Sequence, residues 1–575
     1  MSGDKAYWHR RDLATPSRLN LTEAFQRGLA CHRAGNLGEA ERLYSAILMQ
    51  KPGHRGALHL LGLIAHQRGQ HAAALGLVDR AIAAGDRSAE IESSRGQILS
   101  ALGRPEEALA SFERAAALQP KEAAHHGNCG NLLLALRRFD AALARYDRAL
   151  ALLPDHPETL GNRGIALHHL GRFDAALESF DRVLALQPGQ AGAHANCANT
   201  LRTLGRFEEA LASFREAVRL EPGNAGMQAN LALELADAGD FAAAMAGYAR
   251  ALACRPDCAD AHFGEALCHL LHGDFARGWP KYEWRWKIPH GVSGGRRDVG
   301  APQWRGDAPL AGKTILLHAE QGFGDTIQFC RYVPLVARQG ATVLLEAQPP
   351  LLPLLRSLAG PARLLAPDEA LPQVDFHCPL LSLPLAFATT LDTIPAPGPY
   401  LGAPPDRVET MTALLPPWSS LRVGLVWSGN PAHRNDRKRS LALEHLAPLL
   451  GLPGIAYVSL QRDLSAEDEA VLARYPGVAL LGRHLGDFAD TAAALAPLDL
   501  VITVDTAVAH LAGAMGKSLW LLLPHVPDWR WLLEREDSPW YPTLRVFRQP
   551  AAGDWASVIA RVADTLAAIR RESRP

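Results

Sequence analysis

The chain has 575 residues, of which 48% are hydrophobic and 21% charged, and its formal net charge is -1. A chain of this length exceeds a single hydrophobic core, so we expect about two to four domains. The balanced charge gives no global field to attract nucleic acid or an anionic membrane, and no apolar run approaches the ~20 residues of a transmembrane helix.

The N-terminal segment and the cysteines indicate in which cellular compartment the protein is expected. Residues 1–25 are polar and lack the apolar region of a signal peptide, so we predict a cytoplasmic protein without membrane insertion. None of the eight cysteines forms a CxxC pair. Reduced thiols are therefore expected rather than disulfides or a zinc site.

A 34-residue period organises the first half of the chain. Glycine occupies all but one of the period's marker positions, and Arg137 takes the remaining one. The glycines are Gly35, Gly69, Gly103, Gly171, Gly205, Gly239 and Gly273. Alanine follows five residues after all but the last of these positions, an aromatic residue or valine stands four residues later, and proline closes most units. Glycine ends one helix, proline cannot continue the next, and small residues let two helices pack closely.

These positions match the consensus of the tetratricopeptide repeat (TPR), and the resemblance covers roughly residues 21–290 in eight units. The resemblance implies an α-solenoid, a superhelix of stacked helical pairs that binds a polypeptide partner. Asparagine recurs at one position of four successive first helices, as Asn128, Asn162, Asn196 and Asn230. This ladder could hold the backbone of an extended protein acceptor, or it could tie adjacent repeats together. Both interpretations stay open.

An aromatic cluster marks the end of the repeats. Trp279, Tyr282, Trp284 and Trp286 lie within one short segment, and we expect them to form a cap that buries the solenoid end against the next domain. Residues 291–313 are rich in glycine and are predicted to be a linker.

From Thr314 onward, short runs of Val, Ile and Leu alternate with helical segments, which predicts parallel sheets. One series spans residues 314–403 and includes a helix over 325–340. A second spans 421–571 and includes a helix over 439–450. The polar, proline-rich stretch between them favours two doubly wound, Rossmann-like lobes with a cleft between them over one large sheet.

Open α/β sheets bind ligands beyond the carboxyl ends of their strands, and the first strand of the first lobe ends in a glycine turn. Gly322 and Gly324 would let a substrate approach the backbone. Asp325 follows at the start of a helix, where it either faces the cleft or simply caps the helix.

The first strand of the second lobe ends at Ser428 and leads into a cationic run that includes Lys438 and Arg439. This run could be a solvated loop or an RNA-binding patch, but it lacks interleaved aromatic residues. Its place after a strand favours neutralisation of a diphosphate. Gln461 ends the next strand of the same lobe.

The most specific pattern comes later in the second lobe. A hydrophobic strand ends in Asp505 and Thr506, and a helix of small residues begins at Ala507 and contains His510. The free N–H groups and the dipole of a helix N-terminus favour an anion. This segment therefore predicts an anion site.

The motif D-T-x-x-x-H-L-A-G-A-x-G, together with G-x-G-D in the preceding lobe, resembles the heptosyltransferase-like glycosyltransferases over roughly residues 314–548. Its combination with TPR repeats is similar to bacterial transferases that modify flagellin or other surface proteins. The resemblance implies a GT-B fold, with Asp325 as the general base. It implies donor-binding residues among Gly322, Gly324, Ser428, Lys438, Arg439, Gln461, Asp505, Thr506, Ala507 and His510. Arg439 would replace the family's usual lysine, and Gln461 its usual glutamate.

We therefore expect an inverting, metal-independent transferase, since the sequence contains no D-x-D pair. Its substrates would be a nucleotide-sugar and a protein acceptor held in the TPR groove, and no cofactor is implied. Two alternatives remain. One is a transferase on a lipid or oligosaccharide acceptor that uses the repeats for docking, and the other is a non-catalytic scaffold.

Overall fold

The computed structural model describes residues 20–288, 298–396, 398–416, 421–431 and 435–572. The chain divides into two compact units, Met1–Leu220 and Glu221–Pro575. From residue 20 onward the first unit consists of repeat helices, and the second combines the last repeat helices with two parallel sheets.

Helices in the repeat region follow one another as antiparallel pairs. They are α1 (Leu21–Arg33), α2 (Leu37–Gln50), α3 (Arg55–Gln67), α4 (His71–Ala83), α5 (Ala89–Ala101), α6 (Pro105–Leu118), α7 (Ala123–Ala135), α8 (Phe139–Leu152), α9 (Pro157–His169), α10 (Phe173–Leu186), α11 (Ala191–Leu204), α12 (Phe207–Leu220), α13 (Ala225–Asp237), α14 (Phe241–Cys254), α15 (Ala259–Leu271) and α16 (Phe275–Tyr282). The predicted helical solenoid is confirmed.

The repeat glycines act as the period predicts. From Gly35 to Gly273 they adopt positive φ angles between 70° and 87°, a conformation that costs glycine little. Arg137 takes the same conformation with φ 58° in spite of its side chain. Glycines inside the helices allow close packing, because a Cβ atom on Gly130 would lie 2.5 Å from the ring of Tyr146.

Two separate parallel sheets form the second half of the chain. The first contains β1 (Thr314–His318), β2 (Thr342–Glu346), β3 (Arg363–Leu365) and β4 (Phe376–Pro379), in the order β3-β2-β1-β4. The second contains β5 (Leu421–Val426), β6 (Ile455–Ser459), β7 (Ala479–Leu480), β8 (Leu500–Val504), β9 (Leu519–Leu523) and β10 (Leu544–Arg548), in the order β10-β9-β8-β5-β6-β7. If β5 is counted as strand 1 and β10 as strand 6, the order read from β7 is 3-2-1-4-5-6, the Rossmann order.

Helices connect these strands. They are α17 (Phe323–Phe329), α18 (Val333–Arg338), α19 (Leu352–Leu355), α20 (Leu383–Ala386), α21 (Pro405–Ala413), α22 (Asp436–Arg439), α23 (Ala447–Leu450), α24 (Ala466–Leu472), α25 (Phe488–Leu495), α26 (Ala507–Ala514) and α27 (Trp555–Glu572). The helix expected over 325–340 is present, but a 3-10 turn at Cys330–Tyr332 interrupts it between α17 and α18. The helix expected over 439–450 begins only at Leu443, as a 3-10 turn that leads into α23. Pro334 and Pro448 each stand in the first turn of a new helix, because proline lacks the N–H that would continue the preceding one.

The aromatic cap forms around two of the four expected residues, Trp279 and Tyr282, which are buried. Trp284 instead stacks on His262 of α15, and Trp286 is half-buried. The buried Trp279 donates its indole N–H to the carbonyl of Thr389 at 2.9 Å, and its ring packs edge-on against Trp529 with centroids 5.3 Å apart. Arg285 is buried and pairs with Glu320 at 2.9 Å. These contacts attach the last repeat helices to the sheets within the second compact unit.

The predicted linker needs a correction. Residues 291–297 lie outside the described residues, but the segment that follows is packed rather than free. Gln303 forms a parallel bridge with His377. Trp304 is buried beside β4, and its backbone N–H donates to the His377 carbonyl at 2.8 Å. Burial of a large indole ring outweighs the flexibility that the glycines suggest.

Candidate functional site

The exits of β5, β6 and β8 bring several predicted residues together. β5 and β8 are neighbours in the middle of the second sheet, where the strand order reverses, and such a point leaves a crevice for ligands. The backbone N–H of Ser428 donates to Gln461 Oε1 at 3.3 Å. Arg439 Nη1 donates to the Asp505 carbonyl at 2.9 Å. We call Ser428, Arg439, Gln461, Asp505 and Thr506 the exit site.

The two neighbouring cations that were predicted to bind phosphate go to different places. Arg439 enters the exit site and lies over Gly429, where a Cβ atom would be 2.5 Å from the guanidinium. Lys438 Nζ instead pairs at 2.9 Å with Asp237, the last residue of α13. Residues 432–434 of the predicted cationic loop lie outside the described residues.

A small network fixes the position of Arg439. Asp436 accepts a hydrogen bond from Ser440 Oγ at 2.9 Å and one from Arg439 Nε at 3.3 Å. Ser440 Oγ in turn accepts the N–H of Gly429 at 2.9 Å. The guanidinium is thus held on the β5 exit loop and aimed at the end of β8.

The predicted anion site has a helix N-terminus at the end of β8. Thr506 is the extended N-cap residue of α26, and its side chain does not cap the first turn. Its hydroxyl instead contacts that of Thr503 at 3.3 Å. The first-turn N–H groups from Ala507 onward and the helix dipole therefore favour an anion at this end.

His510 is a packed, neutral residue of α26. Its Nδ1 contacts the Tyr541 hydroxyl at 3.0 Å, and its ring stacks on Trp531 with centroids 5.1 Å apart. Burial, and then the positive charge of Arg530, hold the pKa of His510 well below its ordinary value. His510 therefore brings no positive charge to the site near pH 7.

Asp505 is shifted in the opposite direction. Burial, reinforced by the negative charge of Asp528, raises its pKa to about 6, although Arg439 and Arg530 oppose the shift. The Asp505 carboxylate lies 4.0 Å from His510 Nε2. The exit site therefore holds an acid that titrates close to neutral pH.

Asp325 reaches the same region from the first sheet. Its Oδ2 accepts the N–H of Gly322 at 2.8 Å, so the side chain does cap α17 as one interpretation expected. Its Oδ1 pairs with Arg530. A Cβ atom on Gly324 would lie 2.7 Å from the His510 ring, so this glycine lets α17 pack directly against α26.

The sequence motifs do not include the segment after β9, although it contributes to the site. Arg530 contacts Asp325, and Trp531 and Tyr541 contact His510. The sequence does carry a signal here, since tryptophans and charged residues are concentrated in 528–541 directly after a hydrophobic strand. No recognised motif includes them, so only the tertiary structure brings them to the site.

The asparagine ladder makes contacts between repeats. Asn128 Nδ2 donates to Ser93 Oγ at 3.2 Å, and Asn162 Nδ2 donates to Asn131 Oδ1 at 3.0 Å. Asn196 and Asn230 are half-buried at the equivalent positions of α11 and α13. The inter-repeat interpretation thus holds for Asn128 and Asn162, and binding of an acceptor stays a prediction.

No helix within the described ranges is both long and apolar enough to cross a membrane.

Comparisons with known proteins identify the repeats. Tetratricopeptide repeat families match residues 25–89, 94–122, 130–204, 196–257 and 229–279, which confirms the TPR prediction. Protein FlbA of Caulobacter vibrioides is 29% identical over 321 residues, or 52% of this chain and 53% of FlbA. The chain thus spans about half the length of this curated relative.

Solved structures similar to this chain include TPR proteins. YrrB, a TPR protein with an unusual peptide-binding site, is 20% identical and covers 30% of this chain and 88% of its own, with a TM-score of 0.28. The C-terminal part of a TPR repeat-containing protein from Cytophaga hutchinsonii is 15% identical, with a TM-score of 0.36. The match covers 42% of this chain and 98% of that protein's chain. PilF of Pseudomonas aeruginosa is 20% identical, with a TM-score of 0.33, and the match covers 36% of this chain and 95% of the PilF chain.

Proposed function

We propose that the protein is a GT-B glycosyltransferase that moves a sugar from a nucleotide-sugar to a hydroxyl group of a protein held by the TPR groove. One observation carries the proposal. Asp325, at the β1 exit of one sheet, is joined through Arg530 and the α17–α26 contact to the anion site at the β8 exit of the other. A carboxylate base and a diphosphate site on facing lobes are what direct sugar transfer requires.

The exit site would bind the donor. The N-terminus of α26 and the Arg439 guanidinium would stabilise the diphosphate as it leaves, with Ser428 close to the same phosphates. Gln461 follows β6 by two residues, where ribose and base bind in a Rossmann sheet. No metal ion or cofactor enters this proposal.

Asp325 would act on the acceptor. The acceptor oxygen attacks the anomeric carbon, its proton passes to the Asp325 carboxylate, and the bond from that carbon to the diphosphate oxygen breaks. One displacement inverts the anomeric configuration and releases a nucleoside diphosphate. The repeats would hold the polypeptide that carries the hydroxyl group.

The test compares Asp325→Asn with Asp490→Asn in the full chain. Asp490 is a matched control, because it also caps a helix from the third position and pairs with an arginine, Arg407. The chain is isolated with its bound protein from producing cells, and the mass added to that protein is measured. We expect Asp325→Asn to lower the transfer rate about 10²–10⁴-fold, the usual contribution of a general base, while Asp490→Asn stays close to wild type.

Binding is tested separately by melting with a panel of nucleoside diphosphates. At about 100 times Kd a bound nucleotide should stabilise the second unit by about 2.7 kcal/mol, in the wild type and in Asp325→Asn alike. If no nucleotide stabilises the wild type and no mass is added to any bound protein, the chain is a non-catalytic scaffold. Transfer to a lipid or free sugar alone would assign the repeats to docking.

A further inference from the structure

Arg530 is a buried arginine that connects the two lobes around Asp325. Its Nη2 contacts Asp325 Oδ1, its Nε donates to Gln328 Oε1 at 2.9 Å, and its Nη1 donates to Asp528 Oδ1 at 2.8 Å. Asp325 and Gln328 belong to α17 of the first lobe, and Asp528 follows β9 of the second. All three sides of the guanidinium fork are engaged.

The surroundings of Arg530 leave its side chain little freedom. The guanidinium lies 4.3 Å from the centre of the Trp529 ring. Trp529 packs in turn against Trp279 and Tyr282 of the solenoid cap, with ring centroids 5.3 and 6.0 Å apart. The last repeat therefore supports the loop that carries Arg530.

The charge of Arg530 is permanent. Burial by itself would lower its pKa, but the carboxylates of Asp528 and Asp325 outweigh burial and raise the pKa above its ordinary value. A buried ion pair is a weak source of stability, since well-packed apolar residues often replace one without loss. The charged fork of Arg530 is therefore better explained by what it does to Asp325 than by a contribution to stability.

The two oxygens of Asp325 are fixed from different directions. Arg530 holds Oδ1, and the N–H of Gly322 holds Oδ2. With both oxygens held, the carboxylate plane cannot rotate about its last torsion. A general base needs this fixed orientation because proton transfer depends on hydrogen-bond geometry.

We propose that Arg530 is a positioning residue that orients the Asp325 carboxylate toward the acceptor hydroxyl and keeps it ionised. This inference rests on the proposed function. It adds a role for the loop after β9, and it explains why the solenoid cap is packed against that loop.

The test uses donor hydrolysis, in which water replaces the acceptor and its proton passes to Asp325. The probe is the nucleotide-sugar, from a panel of UDP-, GDP- and dTDP-sugars, that most raises the melting temperature of the full-length wild type. The variants are Arg530→Lys, which keeps the charge and loses the fork, and Arg530→Met, which loses both. Arg407→Met is the matched control, because Arg407 also pairs with two aspartates, Asp487 and Asp490.

We expect Arg530→Lys to slow hydrolysis at least about 10-fold while the acidic limb of the pH–rate profile stays in place. Arg530→Met should slow it further and move that limb up by about one pH unit or more, because an opposite charge beside a carboxylate favours its ionised form. Melting shifts with the nucleotide-sugar should match the wild type in both variants. Arg407→Met should leave the rate and the limb unchanged.

A double mutant separates positioning from a purely structural link. If Arg530 acts through Asp325, then Arg530→Lys in the Asp325→Asn background should cause no further loss, because the group it orients is already removed. Additive losses, or an Arg530→Lys variant as fast as wild type, would overturn the proposal even if Arg530→Met fails to fold. Failure of the proposed function looks different: no nucleotide-sugar stabilises the wild type, or Asp325→Asn hydrolyses the donor as fast as the wild type.

Discussion

Asp505 and His510 lie in the same buried region, and their pKa values shift in opposite directions. Burial favours the neutral form of each group, so it raises the pKa of Asp505 to about 6 and lowers that of His510. The site therefore loses negative charge as the pH falls through 6, while His510 gains no positive charge there. The diphosphate that we propose for this site would bind most easily when Asp505 is protonated and uncharged.

The shift of Asp505 predicts a pH-dependent stability. Its ordinary pKa is 3.8, so between about pH 4 and 6 the folded state keeps a proton that the unfolded state has lost. The Asp505 contribution to stability consequently declines as the pH rises through this window and is constant above it. Asp505→Asn lacks this effect, and its free energy of unfolding relative to wild type should rise by up to about 1.4 kcal/mol per pH unit from about pH 5 to 6.

Melting temperatures of the two proteins at about pH 5, 6 and 7.5 measure this difference. Asp499→Asn is the control, because hydrogen bonds from Arg422 overcome burial and keep the pKa of Asp499 below its ordinary value. Its stabilisation is lost only below about pH 4, so its difference from wild type should be flat over the same range. A flat difference for Asp505→Asn as well would contradict the buried-acid assignment.

At the scale of elements, the asparagines that recur on the first helix of four repeats can serve in two ways. An asparagine side chain both donates and accepts, and the bonds of Asn128 and Asn162 to the preceding repeat use an N–H of the amide. The remaining groups of the amide allow an additional bond to a polypeptide. Tying repeats together and binding an acceptor are therefore compatible.

The ladder predicts a loss of acceptor binding without a loss of donor chemistry. Replacement of all four asparagines, Asn128, Asn162, Asn196 and Asn230, by alanine should weaken binding of the protein acceptor by about 0.5–1.5 kcal/mol for each lost bond. Donor hydrolysis should stay close to wild type. Binding is measured with the protein isolated from producing cells, and circular dichroism checks that the helices remain.

A second variant removes the contacts between repeats, together with the bond that the Tyr146 hydroxyl donates to Asn131 inside one repeat. Ser93→Ala with Asn131→Ala deletes the partners of Asn128 and Asn162 and leaves the ladder intact. It should lower the melting temperature as the ladder variant does, but keep acceptor binding. Unchanged binding in the ladder variant would mean that these asparagines serve the solenoid alone.

At the scale of the whole molecule, the repeat pattern and the compact units end at different places. The repeats continue through α16, but α13–α16 belong to the unit that begins at Glu221. Asp237, Trp279 and Arg285 attach these helices to the sheets. The last two helical pairs are therefore part of the proposed catalytic unit.

This boundary predicts the outcome of truncation. A chain of residues 221–575 should fold, melt cooperatively and keep the melting shift with nucleotide. A chain of residues 291–575 should aggregate or lose that shift, because Glu320 would be left buried without Arg285, and loss of one partner of a buried pair costs about 3–5 kcal/mol. Glu320→Gln in the shorter chain should recover part of the loss, since a neutral amide is less costly to bury. Equal melting of the two truncated chains would contradict this assignment.

The sequence alone determined the helical pairs, the two sheets and the turns that carry the motif residues. Those features depend on short-range rules: glycine at positive φ, proline at helix starts, and periodic apolar residues. Asp325, Asp505 and His510 could be selected because each stands in a motif at a strand exit. The interruptions before Pro334 and Pro448 were not predicted, because apolar periodicity by itself does not show where a proline starts a new helix.

Only the tertiary structure decided which groups act together. Lys438 and Arg439 are adjacent in sequence, yet one pairs with α13 and the other enters the exit site. Arg530 lies 205 positions from Asp325, and no local pattern connects them. Packing of the repeat cap against the loop after β9 brings them into contact, and burial then sets the protonation of Asp505 and His510. Such contacts depend on how distant segments pack, and no rule about neighbouring residues contains that information.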